Sequence, residues 1–88
     1  MTKSILAFAV LLLANFAWAG PTCTTEPKDK WQDQKAFQEN LKSQGYKIKV
    51  FKVTKGDCYE IYGWDKDGKK VEIYFNPITA AIVKEERK

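Results

Sequence analysis

The chain has 88 residues, 44% of them hydrophobic and 30% charged, with 15 Lys+Arg against 11 Asp+Glu, two cysteines and no histidine. That length leaves room for one small domain, and the missing histidine removes Ser-His and Cys-His triads and the usual zinc sites. A formal charge of +4 favours solubility and a weak attraction to anionic surfaces, but the lysines alternate with acids and do not form the basic, aromatic-interleaved stripe of a nucleic-acid binder.

Lys3, the apolar run from Ile5 to Leu13 and the small-x-small sequence Ala17-Trp18-Ala19 predict a cleavable export signal over residues 1–19. A membrane anchor is the alternative, but the run is shorter than the ~20 residues a span needs and Asn15 interrupts its end. Gly20-Pro21-Thr22-Cys23 also lacks the residues that a lipoprotein signal places before its cysteine. The expectation is a protein of the periplasm or the exterior, with no stable membrane insertion after cleavage. About 69 residues then remain, near the size at which a hydrophobic core alone gives only a few kcal/mol.

Residues 20–30 contain two prolines and no apolar periodicity, which predicts an extended arm. Cys23 in that arm and Cys58 are the only cysteines, and an oxidising compartment predicts a disulfide between them. Closing a loop of about 35 residues stabilises by ~4 kcal/mol in the chain-entropy model. After Trp31, Asp33 is a good N-cap, Phe37 and Leu41 stand four apart, and Gly45 sits where a helix C′ residue belongs, predicting a short helix over residues 34–44.

Residues 46–54 (YKIKVFKVT) predict a first strand, turned back at Lys55-Gly56. A two-residue loop places Tyr46, Ile48 and Val50 on the core face and leaves Phe51 and Val53 on the other; a three-residue loop exchanges them. The adjacent apolar pair Val50-Phe51 breaks the alternation and predicts a bulge nearby.

Two β-branched and aromatic runs, residues 59–64 and 71–75, flank Asp65-Lys66-Asp67-Gly68 and predict the clearest hairpin in the chain. With Lys66, Asp67 and Gly68 as the loop, Gly68 takes the left-handed conformation and Asp65 pairs with Lys69. Tyr59, Ile61, Gly63, Val71, Ile73 and Phe75 then share the core face, and Glu60, Tyr62, Trp64, Lys70, Glu72 and Tyr74 share the open one. Asn76-Pro77-Ile78-Thr79 predicts a turn, and residues 80–85 a charge-terminated edge strand. The fold class is α+β: one N-terminal helix packed on a four-stranded antiparallel β-meander, in two layers.

A tryptophan before a short helix, Gly45-Tyr46 entering a strand, Gly56-Asp57-Cys58-Tyr59-Glu60-Ile61, the turn Asp65-Lys66-Asp67-Gly68 and the run from Val71 to Thr79 together resemble PepSY-like domains, above all the small exported bacterial ones. The likeness covers about residues 28–86, and the domain is read as residues 31–88 after an extended arm over residues 20–30. It implies a non-catalytic module, and because larger relatives are propeptides of metallopeptidases it implies inhibition or regulation of a peptidase. In this chain Ala80 follows Thr79 where the family usually has glycine, so that turn is either strained by roughly 1 kcal/mol or has another shape.

No catalytic residues, metal ligands or cofactor motifs are predicted. Glu60 and Glu72 are expected as solvated charges paired with Lys47, Lys49 or Lys70 across strands. Tyr62, Trp64 and Tyr74, with Phe51 if the first loop has two residues, form an aromatic group on the open face. Such a group marks a protein-binding surface, unless the disulfide draws the arm and Trp31 across it. The expected partner is a secreted or periplasmic peptidase or another polypeptide, not nucleic acid, met by a monomer. The alternative is an envelope structural protein, or one that binds small or anionic ligands through its lysine-rich strand, with no peptidase partner.

Overall fold

The computed structural model describes residues 20–88; the export signal predicted at residues 1–19 lies outside them. A single 3-10 turn, Lys28–Lys30, precedes helix α1, Gln34–Ser43, and then strands β1, Lys47–Val53; β2, Tyr59–Trp64; β3, Lys70–Phe75; and β4, Ile82–Arg87. The strands form one antiparallel sheet in the order β1-β2-β3-β4, a meander with the helix against one face, as expected.

The helix is delimited by the residues that predict it. Asp33 Oδ2 accepts the Ala36 N–H at 3.0 Å. At the other end Gly45, with φ of 102°, lets the Tyr46 N–H reach back to the Leu41 carbonyl at 3.1 Å. A Cβ at Gly45 would also lie 2.7 Å from Lys66 Cβ, so this glycine is needed for space as well as for conformation. The inward face carries only Phe37 and Leu41, and such a short helix holds its place by docking. The Phe37 ring lies 4.9 Å from Tyr59 and 5.3 Å from Phe75, both edge-on, in a core completed by Leu41, Ile61, Val71 and Ile73.

The β2–β3 hairpin has the predicted register. Tyr59 faces Phe75, Ile61 faces Ile73 and Gly63 faces Val71. The Asp65 N–H donates to Lys69 at 2.8 Å, and Gly68 has φ of 80°. Asp65 is buried: its Oδ1 accepts the N–H groups of Asp67 and Lys69, both at 2.9 Å, and its Oδ2 meets the Arg87 guanidinium. The far end of β4 is thereby tied to the hairpin turn.

Strand β1 corrects an expectation. The loop into β2 has three residues, Lys55, Gly56 and Asp57, with Thr54 N–H donating to Cys58 at 3.0 Å and Asp57 in the left-handed region at φ of 60°. Gly56 is occupied otherwise. A Cβ there would lie 2.1 Å from the Pro21 carbonyl oxygen, and Gly56 itself accepts the Cys23 N–H at 2.9 Å, so its missing side chain admits the arm. The longer loop, with the expected bulge between Ile48 and Val50, puts Phe51 opposite Ile61 and Val50 opposite Tyr62. Phe51 therefore belongs to the core side, half-buried with its ring 5.1 Å from Tyr59, and Val50, 39% exposed, takes the open side. Tyr46 and Ile48 pack against the core as expected.

The arm is fixed by the disulfide between Cys23 and Cys58, 35 residues apart, and by Asn76 Nδ2 donating to the Cys23 carbonyl at 3.1 Å. Trp31 does not follow the arm onto the open face. It packs on the core side, 5.6 Å from Tyr59, whose hydroxyl donates to Gln32 at 2.6 Å. The last turn is closed by Asn76 Oδ1, which accepts the Ile78 N–H at 2.8 Å and the Thr79 N–H at 3.2 Å. Ala80 takes φ of 66°, so the strained alternative is the one realised, and β4 begins two residues later than expected.

Two stability changes follow from this layout. Reducing the disulfide, or replacing both Cys23 and Cys58 by serine, removes ~4 kcal/mol and lowers the thermal midpoint by roughly 15–30 °C, read by circular dichroism; an unchanged midpoint would show that the clamp carries no stability. Ala80→Gly relieves about 1–2 kcal/mol of left-handed strain against a smaller entropic cost, so its midpoint rises by a few degrees, and a fall would place the strain elsewhere.

Candidate partner-binding face

Because residues in a strand alternate sides, packing the odd positions of β2 and β3 against the helix collects the even ones on the opposite face. The registers place Lys47 beside Trp64, Val50 beside Tyr62 and Lys52 beside Glu60 from β1, and Lys84 beside Tyr74 and Glu86 beside Glu72 from β4. The predicted aromatic group is brought together here, without Phe51. Tyr62, Trp64 and Tyr74 are half-buried and not fully exposed. The alternative of an arm laid across them is realised at one end only: Gly20 lies against Tyr74, where a Cβ would meet the ring at 3.6 Å. At the other end an open hollow of about 270 Å³ is lined by Tyr62 and Trp64 together with Lys49, Lys70, Glu72 and Lys88, with no contribution from the arm.

The carboxylates depart from expectation. Glu60 is 4% exposed and makes no ion pair among the described residues. It stands on a central strand, two residues from the buried Cys58 on the same face, with a tyrosine beside it and another across from it. The nearest lysine by register turns elsewhere: Lys52 Nζ sits 5.3 Å from the centre of the Tyr62 ring. Burial first, and then the hydrogen bond with Glu72, push the Glu60 carboxyl above the usual glutamate range. That same hydrogen bond from Glu60 holds Glu72 below it, helped by the Tyr62 and Tyr74 hydroxyls. Glu60 Oε2 has no hydrogen-bond partner, so burial is uncompensated at that atom, in keeping with the upward shift. Tyr74 donates to Glu72 Oε2 at 3.1 Å. The hydrogen bond to Glu72 and burial raise the Tyr62 hydroxyl, and burial with the Glu60 charge raises that of Tyr74.

Two carboxyls pushed in opposite directions therefore lie together beneath two tyrosines. Sequence reasoning places these four side chains on one face but not the burial of Glu60; the only signal for it is the spacing from Cys58, whose disulfide brings the arm to that end. Glu86 stands beside Glu72 in register but pairs with Lys84, Cys58 is held in the disulfide, and among the described residues no group of three such side chains stands ready for a metal ion. What the face offers is shape, aromatic surface and charge.

The family model described as peptidase propeptide and YPEB domain, PepSY_2, matches residues 3–86, and the chain belongs to this PepSY family. No curated protein and no solved structure matches it. The family is associated with peptidase propeptides and inhibitors. Among the described residues no helix is long and apolar enough to cross a membrane.

The carboxyl pair makes stability depend on pH in a definite direction. Glu60, raised in the folded state, gives its full contribution below the ordinary glutamate range and loses it as pH rises through the raised value. Glu72 and Asp65, both held low, contribute above that range and lose it as pH falls. Glu60→Gln keeps a donor toward Glu72 and removes the ionisation, so the variant melts above wild type at about pH 8, and the gap closes toward about pH 4. Melting curves across that interval with a constant gap would show that the Glu60 carboxyl is not raised in the folded state.

Proposed function

We propose that this PepSY-family chain is an exported, non-catalytic domain that binds and restrains a peptidase, and that Tyr62, Trp64 and Tyr74 are its contact residues. The observation that carries the reading is the sheet face itself: three half-buried aromatics, two of which line an open hollow, on the side of the sheet away from the helix. Tyr and Trp are the side chains that most often dominate binding energy at an interface, because each removes a large, rigid area from water at little entropic cost. The family association with peptidase propeptides and inhibitors supplies the partner class. Export fits the leader-like residues 1–19 and the disulfide, which persists only in an oxidising compartment such as the periplasm or the exterior.

Without histidine or a free thiol the chain has little means to cut a peptide bond, and it has a surface with which to occupy a protein. Extended residues on either open edge, β1 or β4, can add main-chain hydrogen bonds to a docked segment.

The test is inhibition. Residues 20–88, incubated with peptidases exported by the same organism, form a complex on size-exclusion chromatography and slow peptide hydrolysis. Trp64→Ala weakens the complex by on the order of 10–100-fold, and Tyr62→Ala with Tyr74→Ala does the same, while the circular dichroism spectrum stays that of the wild type. Neither complex nor inhibition across that set would reject the peptidase reading.

A further inference from the structure

The distribution of charge over the described residues is uneven in a way the sequence order conceals. Six lysines reach the open face: Lys47, Lys52 and, at the bulge, Lys49 from β1, Lys70 from β3, Lys84 from β4, and Lys88, whose N–H donates to the Lys70 carbonyl at 3.0 Å. Three carboxyls share that face, Glu60, Glu72 and Glu86. Over the rest of residues 20–88, eight basic side chains meet eight acidic ones and cancel. The whole positive excess of the described residues therefore lies on the side of the sheet that carries Tyr62, Trp64 and Tyr74.

Local contacts increase the asymmetry. Of the six lysines only Lys84 forms an ion pair among the described residues, at 3.8 Å from Glu86, which uses up one of the three carboxyls. Arg87, one residue on and turned to the other side, is absorbed by Asp65 and Glu85. Glu60 is buried, so Glu72 is the only remaining carboxylate near the hollow, where Lys49, Lys70 and Lys88 also stand.

We propose that the segment seated on this face is an acidic polypeptide stretch, with one apolar or aromatic side chain entering the hollow beside Trp64 and its carboxylates meeting the lysines around it. The proposal rests on the polypeptide-binding reading above and adds the chemistry of the partner. Complementary charge sets the orientation and the encounter rate of such a complex, and the apolar anchor sets its lifetime. A polypeptide suits this face better than a nucleic acid does. Gly20 lies against Tyr74 and Lys52 lies over Tyr62, so the rings do not form a run of open stacking platforms, and one hollow of about 270 Å³ takes a single side chain.

The probes are two short peptides, acetyl-Glu-Asp-Phe-Glu-Asp-amide and acetyl-Lys-Lys-Phe-Lys-Lys-amide, titrated into residues 20–88 and followed by amide chemical shifts at low salt. The acidic peptide binds, shifts the amides of Tyr62, Trp64 and Glu72, and weakens as salt is raised. The combined variant Lys49→Glu, Lys70→Glu and Lys88→Glu loses at least tenfold in affinity, and the milder Lys49→Gln, Lys70→Gln, Lys88→Gln set loses less. A helix-side control with the same change of net charge, Lys28→Glu, Lys35→Glu and Lys42→Glu, binds as wild type does.

Equal losses in the control and the rim variant would show that net charge alone is read, and would overturn the proposal. So would preference for the basic peptide, or rim-dependent binding of single-stranded DNA or anionic vesicles without binding of the acidic peptide. The two readings separate in the peptidase assay. A complex lost with Trp64→Ala but kept with the rim charges reversed preserves the peptidase function and rejects an acidic partner. Rim-dependent binding of the acidic peptide, with no peptidase inhibited, does the reverse.

Discussion

Burial of Tyr59, Ile61, Val71, Ile73 and Phe75 on one side of the β2–β3 hairpin is the constraint from which the rest of the molecule follows. A strand has no third side, so fixing five large side chains inward also fixes which side chains meet outward. Glu60, Tyr62, Trp64, Lys70, Glu72 and Tyr74 are gathered because their neighbours are core. The register that packs Phe37 against Phe75 also sets Tyr74 opposite Glu60. Altering the face by a shift of one residue would turn the core into water, which makes the geometry of the outward group as rigid as the core is well packed.

So small a core needs help. The helix contributes two buried residues, and the sheet has an open edge at each end of the order β1-β2-β3-β4. The arm supplies the remainder by crossing the β1–β2 loop where Gly56 has no side chain, and the bond from Cys23 to Cys58 makes that crossing permanent. Three separate features thus meet within three residues: a glycine that permits close approach, an aspartate that takes the left-handed turn in its stead, and a cysteine that holds the arm. Charge at the two edges discourages edge-to-edge pairing between copies of the chain, with Lys47, Lys49 and Lys52 along one and Lys84 to Lys88 along the other.

Much of this was legible from local patterns. The hairpin register could be read because loop residues and alternation agree, and the helix because cap, stripe and C′ glycine are all within a dozen residues. The face of Phe51 could not be read. It turns on whether Gly56 serves the turn or the arm, and that is decided by Pro21, more than thirty residues away, so a local preference was overruled by a distant backbone. The burial of Glu60 was missed for a related reason. Opposite charges in register suggest pairs, but whether Lys52 reaches a carboxylate or a tyrosine ring depends on side-chain packing that spacing does not encode. Ala80 was flagged as an anomaly, and the backbone there does take the strained conformation.

Along the strands the open face is polarised, and the polarity joins stability to recognition. At the Cys58 end lie the disulfide, the arm, the buried Glu60 and the covered edge of Tyr74; this end is dry, and low polarity there is what pushes the Glu60 carboxyl toward its neutral form. At the Trp64 end lie the hollow and Lys49, Lys70 and Lys88, open to water. Burial also withdraws Glu60 from the surface, so of the two carboxyls only Glu72 lines the hollow beside Lys49, Lys70 and Lys88. The burial that the clamp imposes at one end thereby keeps a second carboxylate away from the other, so the device that lets so short a chain stay folded also shapes the surface it presents to a partner.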